Sequence, residues 1–126
     1  MFYFIYILYV ERGGVMDRFD RVMKKAYRFY DKPKREETYA LDYNLTRMIV
    51  SRLELFVKES VKTINWDAHK DQSGVDVIGT CREIISDFHF YLDNIEECTL
   101  DRYKECEAKL RHGFSLLGDI VLHLGW

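Results

Sequence analysis

The sequence predicts an all-α protein, an antiparallel helical bundle of about four helices, to which a short N-terminal strand or extra apolar segment is added. Apolar residues recur at spacings of three and four along successive segments, which is the period of a helix with one buried face. The chain has a single proline, Pro33, and 32% charged residues, a composition that favours helices over a sandwich or barrel. With 126 residues, 48% of them apolar, one hydrophobic core is expected.

Four helical segments follow from the positions of caps and breakers. The first ends before Pro33, because proline disfavours helical geometry in the residue that precedes it. Asp42 is a possible cap for the second helix, and Thr99 is a good cap for the fourth. The polar stretch Asn65–Gly74 predicts a loop between the second and third helices. The predicted helices cover residues 17–30, 41–64, 75–96 and 100 to the C-terminal end.

The last three predicted helices each carry one apolar face. The fourth also contains Gly113 and Gly118, and a mid-helix glycine costs roughly 1 kcal/mol relative to alanine, so these predict a tight packing seam or a subunit contact. Its apolar residues recur every seven positions, as Tyr103, Leu110, Leu117 and Leu124, with Phe114 and Val121 in alternate positions. The faces predicted for the second and third helices are Leu45, Met48, Ile49, Leu53, Phe56 and Val57, and Ile78, Cys81, Ile85, Phe88, Leu92 and Ile95.

The first ten residues, MFYFIYILYV, form an apolar run with two interpretations. The run is too short to span a bilayer, which takes about 20 residues, and it lacks the basic start and cleavage site of a signal peptide. Its β-branched and aromatic content suits a buried strand. Alternatively, the codons for residues 11–16 can form a purine-rich ribosome-binding site ahead of Met16. Residues 1–15 are then a translated leader or mis-called extension, and residues 16–126 form a single helical-bundle domain.

A basic segment, residues 21–35, stands out in an otherwise acidic chain. Its seven basic residues against Asp31 give a local charge of +6, whereas the whole chain carries −2 and the remainder therefore −8. On a helix the basic residues share one stripe, where a phosphate, an acidic partner or an anionic membrane would bind. A solvated basic face is the plainer interpretation. The predicted ligand-binding residues of this segment are Arg21, Lys24, Lys25, Arg28, Tyr30 and Lys32.

The loop predicted around Trp66 supplies a second candidate site. A tryptophan in a polar segment, followed by His69 and Lys70, is either a lid over the core or a binding anchor, and the lid is the plainer interpretation. These three residues and Arg47 complete the predicted ligand-binding set.

The sequence predicts no catalytic residues, metal or cofactor. It contains no phosphate-binding glycine loop, nucleophile elbow or HExxH motif. His112 and His123 share a helix face but lie roughly 16 Å apart by helix rise, too far to bind one metal. Three cysteines without a close pair favour reduced thiols over a disulfide framework.

The segment TYALDYNLTRMI (residues 38–49), followed by Arg52 and Leu53, resembles a pattern of small proteins encoded by tailed bacteriophages. In these proteins an aromatic–x–Leu-Asp motif opens a helix that ends in an isoleucine and a basic-leucine pair. The closing stretch from Gly113 through Leu117 to Trp126 is similar to their last helix. Val50 and Ser51 stand where a proline is usual, and no tryptophan opens the third helix. The resemblance, which covers residues 38–126, implies a phage accessory protein of undefined function and no particular chemistry.

Three functions from different classes follow as expectations. The first is an anti-defence binding protein in the host bacterial cytoplasm, a homo-oligomer that sequesters a host protein or a nucleotide-derived immune signal. The second is nucleic-acid binding through the basic segment, which the acidic remainder of the chain opposes. The third is association with a membrane surface, which loses most of its basis if Met16 is the start.

Overall fold

The computed structural model describes residues 33–97 and 99–125. In that part of the chain there are four α-helices, two 3₁₀-helices and no strand, so the predicted all-α bundle is confirmed. The predicted first helix, the basic segment up to Lys32, the apolar run and Met16 all lie outside the described residues. The α-helices are α1 (Leu41–Ser60), α2 (Trp66–Ser73), α3 (Val77–Asn94) and α4 (Leu100–Ile120), and the 3₁₀-helices are Arg35–Thr38 and Val121–His123.

The described residues fall into two compact units, residues 33–39 with Gly125 and residues 40–124. The first contains the 3₁₀-helix Arg35–Thr38. The backbone N–H of Lys34 donates to Glu37 Oε2 at 2.5 Å, and Thr38 Oγ1 donates to the Arg35 carbonyl at 2.7 Å. These local bonds define the turn without a buried side chain.

Helix starts and ends agree in part with those predicted. Thr99 caps α4, since its Oγ1 accepts from the N–H of Arg102 at 3.2 Å. Asp42 is not the cap of α1: Ala40 occupies that position with φ 45° and ψ 46°, and Asp42 lies in the first turn. The second helix ends at Ser60 rather than near residue 64, because residues 61–63 form a turn. The loop predicted for residues 65–74 is wrong, since it contains α2.

Helix α3 is the central element of residues 40–124 and packs against both α1 and α4. Along α3, Glu83 faces His112 at 3.9 Å and Phe90 lies under Lys109 Nζ at 5.8 Å, so α4 runs antiparallel to α3. The buried hydrophobic cluster is formed by Val50, Leu53, Val77, Cys81, Ile84, Phe88 and Ile120.

The buried row of α4 differs from the one predicted. Leu110, Leu117 and Leu124 do pack against the core, but Tyr103, Phe114 and Val121 are exposed. The buried residues are Cys106, Gly113 and Ile120, which also recur every seven positions. Small residues bring the helices close together, and the bulkier Tyr103, Phe114 and Val121 remain exposed.

Gly113 marks the closest approach of α3 and α4. A Cβ at this position would lie 2.4 Å from Cε1 of Phe88, whose ring is fully buried. At Gly118 a Cβ would meet nothing within 4 Å. The tight seam predicted from the two glycines is therefore confirmed at Gly113, and Gly118 has no steric role within the described chain.

A hydrogen bond joins the end of α3 to the start of α1. Tyr91 Oη donates to Asp42 Oδ2 at 2.9 Å. This bond, with a backbone N–H, lowers the pKa of the Asp42 carboxyl. Burial, and then the same bond, raises the pKa of Tyr91 from 10.0 to about 12. The contact is therefore strongest with an ionised Asp42 and a protonated Tyr91.

No helix among the described residues is long and apolar enough to cross a membrane.

Gly113→Ala should destabilise the protein, because the added methyl group overlaps the fixed ring of Phe88. Overpacking of this kind costs about 1–3 kcal/mol, which outweighs the helix-propensity gain of about 1 kcal/mol. Gly118→Ala is the matched control and should raise the free energy of unfolding in dilute solution, because only the propensity gain applies. Urea denaturation checks both, and a Gly113→Ala variant as stable as the parent would contradict the close packing.

Tyr91→Phe should lower the free energy of unfolding at neutral pH by about 1 kcal/mol, the usual net contribution of one hydrogen bond. The difference from the parent should shrink at both pH extremes. It is lost as pH rises from 10.0 towards 12, where Tyr91 ionises, and as pH falls below 3.8 through the lowered pKa of Asp42. Denaturation measured across this range, with the exposed Tyr103→Phe as control, checks the prediction, and a pH-independent difference would contradict it.

Candidate functional site

Helix α2 is a single short helix that local capping defines. Asn65 Oδ1 accepts from the N–H of Ala68 at 3.1 Å, which satisfies one amide of the first turn. At the other end Gly74 takes φ 73°, the left-handed geometry that favours glycine, and its N–H donates to the Lys70 carbonyl at 2.7 Å. Its sequence is mostly polar and none of its residues is buried. The hydrogen bonds at its two ends, rather than a buried apolar face, therefore determine where this helix begins and ends.

Trp66, the first residue of α2, covers one end of the core. Its Nε1–H donates to Oγ of the buried Ser60 at 3.0 Å. Its ring centroid lies 5.8 Å from that of Phe56 and 5.3 Å from that of His69. The indole therefore has a satisfied polar atom and aromatic neighbours on two sides, which is how a tryptophan packs as a lid.

His69 connects α2 to the C-terminal 3₁₀-helix. Its Nε2 lies 3.1 Å from Nδ1 of His123, and the two rings meet edge to face at 5.2 Å between centroids. A hydrogen bond between two ring nitrogens requires one to donate and the other to accept. Trp66, His69 and His123 form a continuous aromatic row.

A cavity of about 470 Å³ lies beside Trp66, between the α1–α2 turn and the first turns of α3. This volume falls in the range of about 300–1,000 Å³ that is usual for small-molecule sites, but the cavity is wide open to solvent and its lining is more polar than apolar. The first turns of both α2 and α3 contribute to its wall. The lining residues are Val61, Ile64, Asn65, Trp66, Asp67, Asp76, Ile78, Gly79 and Arg82.

The charged groups at the cavity differ in whether they already have hydrogen-bond or ion-pair partners. Asp76 Oδ1 accepts from the N–H of Gly79 at 3.0 Å as the cap of α3, and its Oδ2 lies 4.0 Å from Lys70 Nζ. Asp67 is exposed in the first turn of α2, and Arg82 is exposed on α3. The wall thus contains the guanidinium of Arg82, the carboxylate of Asp67 and the carboxylate of Asp76, which already accepts a hydrogen bond from Gly79.

A second polar cluster lies between α3 and α4, around the buried Asp87. Its Oδ2 is 2.5 Å from Nδ1 of His112, and its Oδ1 is 3.9 Å from Lys109 Nζ. Only 7% of the Asp87 side chain is exposed, whereas 52% of the His112 side chain is. Nε2 of His112 lies 3.9 Å from Glu83 Oε1. A buried carboxylate thus fixes one imidazole nitrogen and leaves the other at the surface.

The structure brings together three of the predicted site residues. Trp66, His69 and Lys70 all lie on α2, next to the cavity. Arg47 is exposed in the second turn of α1, about 20 Å from the cavity end of that helix by helix rise. The remaining predicted residues are Arg21, Lys24, Lys25, Arg28, Tyr30 and Lys32, and all of them lie outside the described residues.

Sequence reasoning missed Arg82, Asp76 and the Asp87–His112 pair. Asp76 follows Gly74 and precedes an apolar run, so its role as a cap is a signal that was available in the sequence. Asp87 and His112 are 25 positions apart on different helices, and Arg82 occupies an ordinary exposed helix position. No local pattern distinguishes such residues from solvated charges.

Two observations on the described residues concern a reactive thiol and a metal site. Burial, with a smaller effect from Asp76, raises the pKa of the Cys81 thiol to about 11, so it stays protonated at neutral pH. Within residues 33–97 and 99–125, no three His, Cys, Asp or Glu side chains are grouped so as to hold a metal ion.

Comparison of this chain with protein-family models, with curated proteins and with solved structures gives no match.

The Asp87–His112 pair should show a coupling free energy above about 1 kcal/mol in a double-mutant cycle with Asp87→Asn and His112→Gln. Removing His112 leaves the buried carboxylate of Asp87 without its hydrogen-bond partner, which is costly. The matched control is the hydrogen bond between Glu54 and His89, whose side chains are 47% and 46% exposed. That pair should give less than about 1 kcal/mol.

Urea unfolding of the four variants of each cycle at a single pH measures both couplings. Equal couplings would contradict the conclusion that burial of Asp87 decides the strength of the α3–α4 contact.

Proposed function

We propose that this chain is a bacteriophage accessory protein that binds and neutralises a host component by stoichiometric sequestration, in the host cytoplasm. The ligand class is a small nucleotide-derived signal of the kind used in antiviral defence. The observation that carries the proposal is the open cavity beside Trp66, whose lining combines a few apolar side chains with a guanidinium and two carboxylates.

The apolar part of the wall suits a nucleobase. Ile64, Trp66 and Ile78 line one part of the cavity, and a flat heterocycle gains buried area against such side chains. Because Trp66 Nε1 already donates to Ser60, the indole offers ring surface to a ligand rather than a hydrogen-bond donor. Recognition of the base would therefore rest on stacking and shape.

Arg82 is the group of the wall that suits a phosphate. Its exposed guanidinium lines the cavity and can give charge-assisted hydrogen bonds to phosphate oxygens. The start of α3 contributes less, because the carboxylate of Asp76 already accepts from the N–H of Gly79.

The two carboxylates of the wall restrict what the ligand can be. Asp67 and Asp76 can accept hydrogen bonds from ribose hydroxyls or a base amino group, whereas they repel additional phosphates. The wall therefore favours a ligand with few phosphates over a long nucleic-acid strand. This is also the expectation from the net charge of −8 outside the basic segment.

The phage assignment rests on the resemblance of residues 38–126 to small phage-encoded proteins. That segment includes α1 to α4, which form the cavity. The basic segment of residues 21–35 stays a prediction of a second source of phosphate contacts.

The test begins with native mass spectrometry of protein purified gently from bacterial cells, followed by titration calorimetry with nucleotides of one to four phosphates. Bound mass of nucleotide size that is lost on denaturation would support sequestration, and turnover of the ligand would contradict it. Binding to long single strands that weakens steeply with salt would instead favour the nucleic-acid alternative.

Arg82→Glu should weaken nucleotide binding at least about tenfold, because a charged hydrogen bond contributes about 1.5–3 kcal/mol and its reversal adds repulsion. Arg47→Glu is the matched charge reversal and should leave the affinity unchanged, since Arg47 lies far along α1. The paired variant Arg28→Glu and Lys32→Glu, measured in the same titration, reports on the basic segment.

If Arg82→Glu binds as tightly as the parent, the cavity is not the phosphate site. A loss confined to Arg47→Glu would move the site to α1, and a loss confined to the paired variant would move it to the basic segment.

A further inference from the structure

Two of the four histidines of the chain bond to each other instead of to a carboxylate. Nε2 of His69 lies 3.1 Å from Nδ1 of His123. We name these two side chains the imidazole pair. The other two histidines have carboxylate partners, which are Glu54 for His89 and Asp87 for His112. The imidazole pair is therefore the place where the described chain brings two ring nitrogens together.

The imidazole pair is held in position from two separate elements. His69 lies on α2, and its ring meets that of Trp66 edge to face at 5.3 Å between centroids. His123 lies on the C-terminal 3₁₀-helix, between the fully buried Ile120 and Leu124, which packs against the core. The two histidines are 54 positions apart. Their nitrogens thus meet because both elements are anchored on the core.

The separation of the two nitrogens suits a shared metal ion. A Zn–N bond is about 2.0–2.1 Å long, so two imidazole nitrogens on one ion lie about 2.9–3.4 Å apart at square or tetrahedral angles. The observed 3.1 Å falls in this range. The ion would lie to one side of the line between the nitrogens, so each ring would tilt by about 40°. Both side chains are only half-buried, which leaves room for this tilt.

The outer nitrogens allow both rings to become ligands. Without a metal ion, one of the two facing nitrogens carries a proton and the other accepts the hydrogen bond. Nδ1 of His69 and Nε2 of His123 have no hydrogen-bond partner within the described chain. The proton of the donor nitrogen can therefore move, through water, to the outer nitrogen of the same neutral ring. Both facing nitrogens then present lone pairs, and no net proton is released.

We propose that the imidazole pair binds a divalent late transition-metal ion, of the class of Zn²⁺ and Cu²⁺, and so joins α2 to the C-terminal 3₁₀-helix. Imidazole nitrogen suits these ions, whereas Mg²⁺ and Ca²⁺ take oxygen ligands. Among residues 33–97 and 99–125 no third His, Cys, Asp or Glu is grouped with the pair, so water completes the coordination. This site does not depend on the nucleotide proposal.

The ion should stabilise the folded protein. The two histidines are brought together by the fold, and they are far apart along the unfolded chain. An ion that binds the folded state more tightly than the unfolded state shifts the unfolding equilibrium towards the folded state. The site therefore has a measurable effect without any knowledge of a biological activity.

Urea unfolding with and without Zn²⁺ provides the first test. The full-length chain carries Cys98→Ser as background, which removes a competing thiol. Zn²⁺ should raise the urea midpoint, and Mg²⁺ should leave it unchanged. His69→Gln and His123→Gln should each abolish the Zn²⁺ shift. Glutamine keeps a hydrogen-bonding amide, so a purely structural role of the pair would survive it. The matched control is His89→Gln, which should keep the full shift.

Tryptophan fluorescence provides the second test and reports the location of the ion. With Trp126→Phe added to the same background, Trp66 is the one remaining tryptophan. Bound Cu²⁺ should quench its emission, because His69 lies beside the indole. His123→Gln should weaken this binding at least about tenfold, the lower end of the loss that even an outer-shell change causes.

Three results would overturn the proposal. One is a parent whose urea midpoint does not respond to Zn²⁺. Another is a Zn²⁺ shift that persists in both His69→Gln and His123→Gln, since the ion would then bind elsewhere. The third is an equal loss in the His89→Gln control, which would show binding to single surface imidazoles.

Discussion

The close approach of α3 and α4 at Phe88 and Gly113 is the constraint on which the rest of the described bundle depends. The Phe88 ring occupies the space that a Cβ on residue 113 would need. It also stacks on Phe114 at 4.9 Å between ring centroids. Because both helices are rigid, this contact fixes the rotation of α4 about its axis. That rotation determines which residues of α4 are buried and which are exposed.

Two consequences of that rotation lie on opposite sides of α4. The residues next to the contact, Asp87 and His112, come within 2.5 Å of each other, so the buried carboxylate has a hydrogen-bond partner on the neighbouring helix. On the other side two apolar residues, Tyr103 and Val121, are turned away from α3. The same glycine that allows dense packing therefore also leaves Tyr103 and Val121 at the surface. The burial of Asp87 beside His112 and the exposure of Tyr103 and Val121 thus have the same cause, the rotation of α4.

Periodicity predicted the long helices well, because each buries an apolar stripe and a spacing of three and four residues is visible in one sequence. It failed at α2, whose eight residues are mostly polar and which is held by Asn65 and Gly74 at its two ends. It also misplaced the buried row of α4. Cys106 and Gly113 are small and contribute little to the hydrophobic periodicity. The larger apolar side chains of the neighbouring row therefore dominated the periodicity of α4.

The candidate sites were less predictable than the fold, for a physical reason. Trp66, His69 and Lys70 are close in sequence, and their proximity in space follows from that alone. The Asp87–His112 pair and the position of Arg82 on the cavity wall depend on how helices dock, and docking is decided by packing rather than by any local spacing. The sequence therefore supplies the residues of the α2 site but not the wall that they face.

Trp66 contributes to both the core and the cavity wall. A substitution of Trp66 would therefore change the fold and the cavity together. Its indole satisfies the hydroxyl of Ser60, which is fully buried, so removal of the ring would leave a buried polar group without its donor. It would also open one end of the core beside Phe56. A loss of binding in such a variant would carry no information about the ligand. The charge of Arg82 is different, because it sits on an exposed position of α3 whose backbone is held by Asp76 and by the core. The fold supports the cavity through Trp66, whereas the charge of Arg82 on the cavity wall can be changed without cost to the fold.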